Sequence, residues 1–307
     1  MREYTPIWEN QNRHRYFRKS LIQEIEKEYN CKVIIYMDFS SAIMPDDIAY
    51  FQEMFYKIPY ETPLFLILYS NGGDLDTADN ILRLIRNFTK DKEFTVIVPE
   101  RAKSAATLLC LGSDKIVMGD TSELGPIDPF IPVATQNGLV WRSAQDIIDM
   151  IEEINKNGLL PAYIPLLSNY DMATIISARK AIERAKKCAN EWLLSYMCKN
   201  NSTLIDCNLE KKSETCFNNN NDDNNTACNS AAHIACNLGD ANTWLSHGHA
   251  INYNKAVKLG LNIEYLNKDN ALWDKIWQLY ISYFQERQFY NKIFESNDVY
   301  NPIRVQN

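Results

Sequence analysis

The sequence lacks a long apolar run. None of its windows approaches the roughly 20 uncharged apolar residues that a membrane helix needs, and residues 1–18 are too charged and aromatic for a signal peptide. It also lacks a basic stripe: 39 acidic side chains outnumber 32 basic ones, and the basic ones are scattered. A cytoplasmic protein without a membrane span is therefore predicted, and nucleic acid is not an expected partner.

Cysteine pairs of the Cys-x-x-Cys type are missing as well. Five of the eight cysteines share one polar stretch, namely Cys198, Cys207, Cys216, Cys228 and Cys236. A structural zinc site is normally built from closely spaced ligand pairs, so no metal and no cofactor is predicted. The other three, Cys31, Cys110 and Cys188, lie in apolar or helical segments and are predicted to be reduced core residues.

Apolar strands that alternate with amphipathic helices fill the first 120 residues. Strands are predicted at 32–37, 64–69, 94–98 and 115–118, and helices at 17–29, 45–56, 77–88 and 101–112. The run LFLILY at 64–69 is apolar throughout, which is typical of a central parallel strand covered on both faces. The pattern predicts an α/β fold with a mostly parallel central sheet.

The rest of the chain is predicted to be mainly helical. Residues 122–132 contain three prolines and a glycine and are expected to form a shaped loop. Helices are predicted at 144–156, 171–197, 231–238, 254–259 and 273–294, the last one aromatic. The Asn-rich stretch at 199–230 is too polar to bury surface and is expected to be a flexible insertion. The predicted domains are a core (1–197), an insertion (198–230) and a C-terminal region with a closing motif and an aromatic helix (231–307).

Two segments have the composition of a site for acyl transfer. Gly72 and Gly73 follow an apolar strand and allow backbone amides to approach a ligand. Ser104 stands among small residues where a helix begins, so its hydroxyl and the next amide can both be exposed. Ligands of open α/β sheets bind beyond the carboxyl ends of the strands, and the two segments are expected to meet there. Each signal alone is also typical of an ordinary turn or helix cap.

Several motifs occur in an order that resembles a known family. They are YSNGGD at 69–74, PERAKSAAT at 99–107, DKIVM at 114–118 and LGPIDP at 124–129. The chain resembles the serine dehydrogenase proteinase family, which is similar to signal peptide peptidase A and, more distantly, to the Clp protease and crotonase fold. The resemblance covers about 17–185 and resumes at 247–260, where HGHAI and AVKLG resemble the family's closing motif.

The resemblance implies a fold and a set of site residues. The fold would be a Clp-protease/crotonase-like ββα-superhelix with a helical layer and C-terminal helices, assembled as a homo-oligomer. Ser104 would be the nucleophile, Gly72 and Gly73 would form the oxyanion-hole turn, and the amide of Ala105 would be the second donor. The chain departs from the family at Ala106, where glycine is more frequent.

The general base is not apparent from the sequence, because no histidine occurs between His14 and His233. Three bases stay open. His249 or His247 can fold back onto the site with Asp128 orienting it, or Lys180 can serve if burial removes its proton. The predicted triad is Ser104, His249 and Asp128, with His247 and Lys180 as alternative bases. Lys103 is expected to point away from Ser104, because successive helical residues point about 100° apart.

The predicted activity is that of a serine endopeptidase that cleaves peptide or protein substrates through an acyl-enzyme. One alternative keeps the fold and uses the Gly-Gly turn to bind a thioester carbonyl, as crotonases do. The other is a catalytically silent oligomeric scaffold, which the missing base favours.

Overall fold

The computed structural model describes residues 5–7, 12–135, 138–158, 170–199 and 231–305. The chain divides into two compact units. The first contains Met1–Leu124, Ala250–Val257 and Asn262–Asn307, and the second contains Gly125–His249 and Lys258–Leu261. Most of the predicted insertion, residues 200–230, lies outside the described residues.

The strands and helices of the described ranges are numbered in chain order. The strands are β1 (Lys32–Asp38), β2 (Leu64–Tyr69), β3 (Phe94–Val98), β4 (Arg101–Ala102), β5 (Lys115–Met118), β6 (Glu123–Leu124), β7 (Phe130–Thr135), β8 (Gly138–Ser143), β9 (Ile263–Tyr265), β10 (Tyr290–Ser296) and β11 (Tyr300–Arg304). The helices are α1 (Arg13–Tyr29), α2 (Asp47–Met54), α3 (Leu75–Thr89), α4 (Ala105–Leu111), α5 (Ala144–Asn157), α6 (Met172–Ser195), α7 (Ala231–Leu238), α8 (Ala241–Trp244), α9 (Tyr253–Lys258) and α10 (Ala271–Glu286).

The first unit is built on a seven-stranded sheet with the order β11-β10-β1-β2-β3-β5-β9. The five strands from β1 to β9 in that order run parallel, and β10 and β11 are antiparallel to their neighbours. β3 is buried along its whole length, and β1 and β2 nearly so. The predicted mostly parallel central sheet is confirmed.

Alternating side chains of the strands pack on opposite faces of this sheet. On one face, Ile35 of β1 and Ile67 of β2 join a core with α1 and α10, to which Leu21 and Ile276 contribute. On the other face, Tyr36 of β1 contacts Phe51 of α2 with ring centroids 5.2 Å apart. This two-sided cover explains why β2 is a continuous apolar run instead of an alternating one.

The second unit contains the β7–β8 hairpin and the helices that follow it. Ile131 and Val133 of β7 pack against Ile147 and Ile148 of α5 and Ala178 of α6 in a small core of their own. Helix α5 begins where Ser143 accepts a hydrogen bond from the Asp146 amide, and α6 begins at the same kind of cap on Asp171. Of the helices in the described ranges, none is both long and apolar enough to cross a bilayer.

The prediction of one aromatic helix over 273–294 is wrong at its end. Helix α10 ends at Glu286, and Tyr290–Ser296 forms β10, which pairs with β1. The cause is two buried charges within β10: Lys292 pairs with Asp47, and Glu295 pairs with Arg18. In the sequence these charges resemble the polar face of a helix, because their partners are more than 200 positions away.

The predicted loop at 122–132 is also partly wrong. Glu123–Leu124 is a short strand, and Phe130 begins β7, with Pro132 opposite Trp141 of β8. Proline is tolerated here because β7 pairs only with β8 among the described residues, so that one side of it makes no ladder bonds. Residues 125–129 do form a loop.

Candidate functional site

Ser104 lies at the start of α4 in a backbone conformation that side chains rarely adopt. Its φ is 50° and its ψ is −121°. Such a conformation costs a residue with a Cβ on the order of 1–3 kcal/mol and is found at turns that hold a nucleophile at a helix start. The residue is half-buried, and its hydroxyl makes no hydrogen bond to any residue in the described ranges.

The Gly72–Gly73 turn lies directly against Ser104. Ser70 pairs with β4, its amide donating to the Arg101 carbonyl at 3.1 Å and its carbonyl accepting from the Lys103 amide at 3.0 Å. This pairing brings the residues after β2 beside the start of α4. A Cβ built on Gly72, whose φ is 99°, would lie 2.7 Å from the Ser104 Cβ and 3.1 Å from the Ala105 nitrogen. The two segments predicted to meet are therefore neighbours.

The two glycines have different hydrogen bonds. The Gly72 amide donates to Ser70 Oγ at 3.0 Å, and its carbonyl accepts from the Ile43 amide at 2.8 Å. The Asp74 amide donates to the Ile43 carbonyl at 2.9 Å. The amide of Gly73, which is exposed, donates to no acceptor within the described ranges. Gly72 thus supplies space for Ser104, and Gly73 supplies an available donor.

A second available donor lies at the start of α4. The Ala106 amide donates to the Lys103 carbonyl at 2.8 Å, and the Leu108 amide donates to the Ser104 carbonyl at 3.2 Å. The Ala105 amide is the first of the helix, and no acceptor for it occurs in the part of the chain that the structure describes. It can therefore donate to a ligand oxygen beside Ser104.

The side chain of Lys103, the residue before Ser104, contacts Glu123 and Leu124. Its side chain is buried, and its Nζ lies 2.9 Å from Glu123 Oε1 and 3.2 Å from the Leu124 carbonyl. Burial lowers the pKa of Lys103, and the hydrogen bond and charge of Glu123 offset part of that effect. Lys103 thereby connects the start of α4 to β6.

The candidate bases lie in different surroundings. His247 Nδ1 lies 2.8 Å from Oδ1 of Asp128, a carboxylate that is 2% exposed, and its ring meets the edge of Phe130. His249 lies beside Trp244, with ring centroids 5.1 Å apart. Lys180 is exposed on α6, so the burial that its role as a base requires is not present. Asp128 therefore pairs with the histidine that the sequence analysis ranked as an alternative.

Two buried residues beneath the turn were not predicted. Asp38 ends β1 and Ser70 follows β2, and Ser70 Oγ donates to Asp38 Oδ2 at 3.2 Å. The signal for Asp38 was a polar residue at the end of an apolar strand, and Ser70 lies within the motif YSNGGD, to which no role for Ser70 was attached. Among the described residues, no group of three His, Cys, Asp or Glu side chains is arranged to hold a metal ion.

Comparison with known families supports the resemblance seen in the motifs. Residues 6–150 match the family model described as ClpP-like SDH-type serine proteinase. The match confirms the predicted resemblance over this segment, and with it the Clp-protease-like fold. The motif at 247–260 lies beyond the matched residues.

Curated relatives share shorter segments with this chain. An uncharacterised protein of Methanocaldococcus jannaschii, MJ0137, is 38% identical over 71 residues, which are 23% of this chain and 24% of the relative. A second from the same organism, MJ1495, is 31% identical over 107 residues, 33% of this chain and 36% of the relative. The chain thus spans about a quarter to a third of the length of these relatives.

Two solved structures with similarity to this chain are of a membrane-bound stomatin-specific protease, 1510-N. A lysine-to-alanine mutant in complex with a substrate peptide is 17% identical, covers 83% of this chain and 98% of its own, and has a TM-score of 0.37. A serine-to-alanine mutant is 18% identical, covers 41% and 62%, and has a TM-score of 0.30.

Proposed function

We propose that the chain hydrolyses peptide bonds through an acyl-enzyme on Ser104, on the premise that residues 6–150 match the family model described as ClpP-like SDH-type serine proteinase. The observation that carries the proposal is the strained backbone of Ser104, packed against a glycine turn that has no room for a Cβ. Strain of this kind persists where the surrounding structure fixes a reactive group.

The chemistry has two halves. In the first, Ser104 Oγ bonds to the carbonyl carbon of the substrate, the carbonyl oxygen becomes an oxyanion, and the hydroxyl proton passes through a base to the leaving amine as the C–N bond breaks. In the second, water attacks the ester and releases the acid. The amides of Gly73 and Ala105 are the donors for the oxyanion, and one such donor is commonly worth about 10²–10³ in rate.

We assign the base to His247 in place of His249. A carboxylate on Nδ1 holds the proton there, which leaves Nε2 as the acceptor that a serine hydroxyl needs. His247 has this arrangement with the buried Asp128, and this contact is the ground for the assignment. The endopeptidase specificity, the homo-oligomeric state and the cytoplasmic location are further parts of the same proposal.

A fluorophosphonate probe tests the nucleophile. The probe should form one adduct, in which Ser104 Oγ bonds to phosphorus and fluoride leaves, and mass spectrometry of the digested protein should find it on the peptide that contains Ser104. Ser104→Ala should remain unlabelled. The matched control is Ser113→Ala, since Ser113 is a fully buried serine at the start of β5 and should not affect the adduct.

The alternatives give different results in this experiment. If the chain is a catalytically silent scaffold, the probe should label neither wild type nor Ser104→Ala. If the site binds thioesters, an acyl thioester should bind to the chain, and the probe should form no adduct on Ser104. An adduct on a residue other than Ser104 would refute the assignment of the nucleophile.

Gly72→Ala should abolish most of the labelling without removing any catalytic side chain. The new Cβ would lie 2.6 Å from the Lys103 carbonyl and 2.7 Å from the Ser104 Cβ, at a φ of 99°. Either the turn or Ser104 must move, and a displacement near 1 Å costs about 10² in rate. We expect the labelling rate to fall by about that factor, measured by in-gel fluorescence over time. Gly138→Ala, where φ is also positive and a Cβ would meet nothing within 4 Å, should label like wild type.

A further inference from the structure

A buried polar network lies beneath the Gly72–Gly73 turn. Met37 of β1 and Tyr69 of β2 are register partners, so Asp38 and Ser70 are next to each other where the two strands end. Ser70 Oγ donates to Asp38 Oδ2 and accepts from the Gly72 amide. Asp38 Oδ1 accepts from the amide of Ser41 at 3.1 Å and from its hydroxyl at 2.6 Å. One carboxylate thus connects the loop after β1 to the turn after β2.

The loop after β1 in turn holds the glycine turn. Ile43 forms a parallel bridge with Gly73, accepting from the Asp74 amide and donating to the Gly72 carbonyl. The peptide groups on both sides of Gly73 are therefore fixed by one residue. A Cβ on Gly73 would lie 2.3 Å from the Ile43 nitrogen, so the two backbones are in close contact. The direction of the Gly73 amide depends on where this loop lies.

A lysine from the far end of the chain fixes the same loop. Lys292 of β10 donates from Nζ to the Ala42 carbonyl at 2.6 Å and pairs with both oxygens of Asp47 at 2.7 Å. Asp47 Oδ2 also accepts from the Tyr36 hydroxyl at 2.8 Å and from the Met44 amide at 3.0 Å. The loop is thus held at residues 41, 42, 43 and 44.

Stability alone is a poor reason for this network. Asp38, Asp47 and Lys292 are 0%, 1% and 4% exposed, and each buried charge carries a desolvation cost that apolar side chains would avoid. Burial raises the pKa of Asp38, against the opposing effects of the Ser41 hydrogen bonds and the Lys292 charge. A carboxylate whose pKa is raised on folding lowers stability once it is ionised, so its charge does not stabilise the fold at neutral pH.

We propose that Asp38, Ser70 and Lys292 are positioning residues that aim the Gly73 amide at the developing oxyanion. The inference rests on the proposed function of Ser104, since it assigns these residues to the same reaction. None of them contacts the reacting atoms in this mechanism: Asp38 and Ser70 act through the Gly72 amide and the Ser41 turn, and Lys292 acts through the Ala42 carbonyl.

Two substitutions break the network with little change in volume. Ser70→Ala removes the acceptor of the Gly72 amide. Asp38→Asn replaces one acceptor oxygen by an NH₂ group, which must face either the two donors of Ser41 or the hydroxyl of Ser70. In either orientation a donor loses its acceptor, the two donors of Ser41 in one and the hydroxyl proton of Ser70 in the other, so the network that joins the loop to the turn is weakened.

The test measures fluorophosphonate inactivation kinetics and amide hydrogen exchange on the full chain. In Asp38→Asn and Ser70→Ala, we expect the maximal labelling rate to fall about 10- to 100-fold, while the probe concentration for half-maximal rate stays within about twofold. Exchange should become faster in peptides that cover residues 39–44 and 71–75. Controls are Asp114→Asn and Ser113→Ala, which alter hydrogen bonds of residues between the end of α4 and the start of β5, at the other end of α4 from Ser104, and should change neither quantity.

The possible results separate the two claims. Labelling at the wild-type rate in both variants, or the same loss in the two controls, would overturn the positioning role. A lower rate with unchanged exchange at both loops would overturn it as well, since the turn would not have moved. If wild type is not labelled at Ser104, the proposed function fails, and unchanged exchange in the variants then refutes the structural link on its own.

Discussion

Ser104→Gly should abolish peptide turnover and raise the melting temperature at the same time. The loss of turnover follows from the loss of the nucleophile, which in serine proteases costs on the order of 10⁶ in kcat. The gain in stability follows from the backbone, because φ 50° and ψ −121° are strained for serine and open to glycine. Casein hydrolysis and thermal unfolding of the purified chain measure the two effects.

Ser104→Ala is the matched control for this prediction, since it removes the hydroxyl and keeps the Cβ. It should be as inactive as Ser104→Gly and less stable by about 1 kcal/mol, once the greater freedom of unfolded glycine is subtracted from the strain. That difference corresponds to about 2 °C in melting temperature for a chain of this size. A glycine variant that melts below the alanine variant would show that the backbone of Ser104 is not strained.

The parallel part of the sheet could be predicted because its strands are buried on both faces. Burial on both faces favours apolar side chains along the whole strand, as in LFLILY at 64–69 and in FTVIV at 94–98, where Thr95 is the one polar residue. The observed β2 and β3 have the predicted bounds. The helices between the strands could be predicted because one face of each helix is buried, which gives apolar residues at helical spacing. In α3, for example, Ile81, Leu82 and Ile85 are all buried.

The C-terminal strands could not be predicted in this way. Lys292 and Glu295 are polar in the sequence and buried in the structure, and only Asp47 and Arg18 explain how they are tolerated. Pairing over so long a separation leaves no local pattern. The β7–β8 hairpin was missed for a related reason, since a proline inside a strand is allowed only when one side of that strand is unpaired.

The nucleophile and the glycine turn could be predicted from the sequence, but the general base could not. The segments of Ser104 and Gly72 have a local signature, because small residues are needed wherever backbones approach closely. The sequence could not choose between His247 and His249, which are two positions apart in a turn, where no periodicity tells which side chain points inward. Asp38 had no signature beyond its place at the end of an apolar strand, and the motif that contains Ser70 does not reveal which groups Ser70 contacts.

His247→Gln should lower turnover by about 10³- to 10⁴-fold, and His249→Gln should leave it within a few-fold of wild type. His247 has the carboxylate of Asp128 on Nδ1, and this carboxylate is 2% exposed and so is shielded from water that could compete for the hydrogen bond. The ring of His249 lies beside that of Trp244, with centroids 5.1 Å apart. Casein hydrolysis and the rate of fluorophosphonate labelling should fall together, because both require deprotonation of Ser104.

Asp128→Asn distinguishes a base from a histidine that only holds a loop. The amide NH₂ would face Nδ1 and force the imidazole proton onto Nε2, which removes the acceptor and should cost about 10⁴ in rate while the folded structure persists. Added imidazole should restore part of the activity of His247→Ala and none of that of Ser104→Ala. If His249→Gln is the inactive variant, the triad predicted from the sequence, Ser104, His249 and Asp128, is correct instead. If Lys180→Met alone is inactive, burial of Lys180 must arise in a state of the protein other than this one, because on α6 it is exposed.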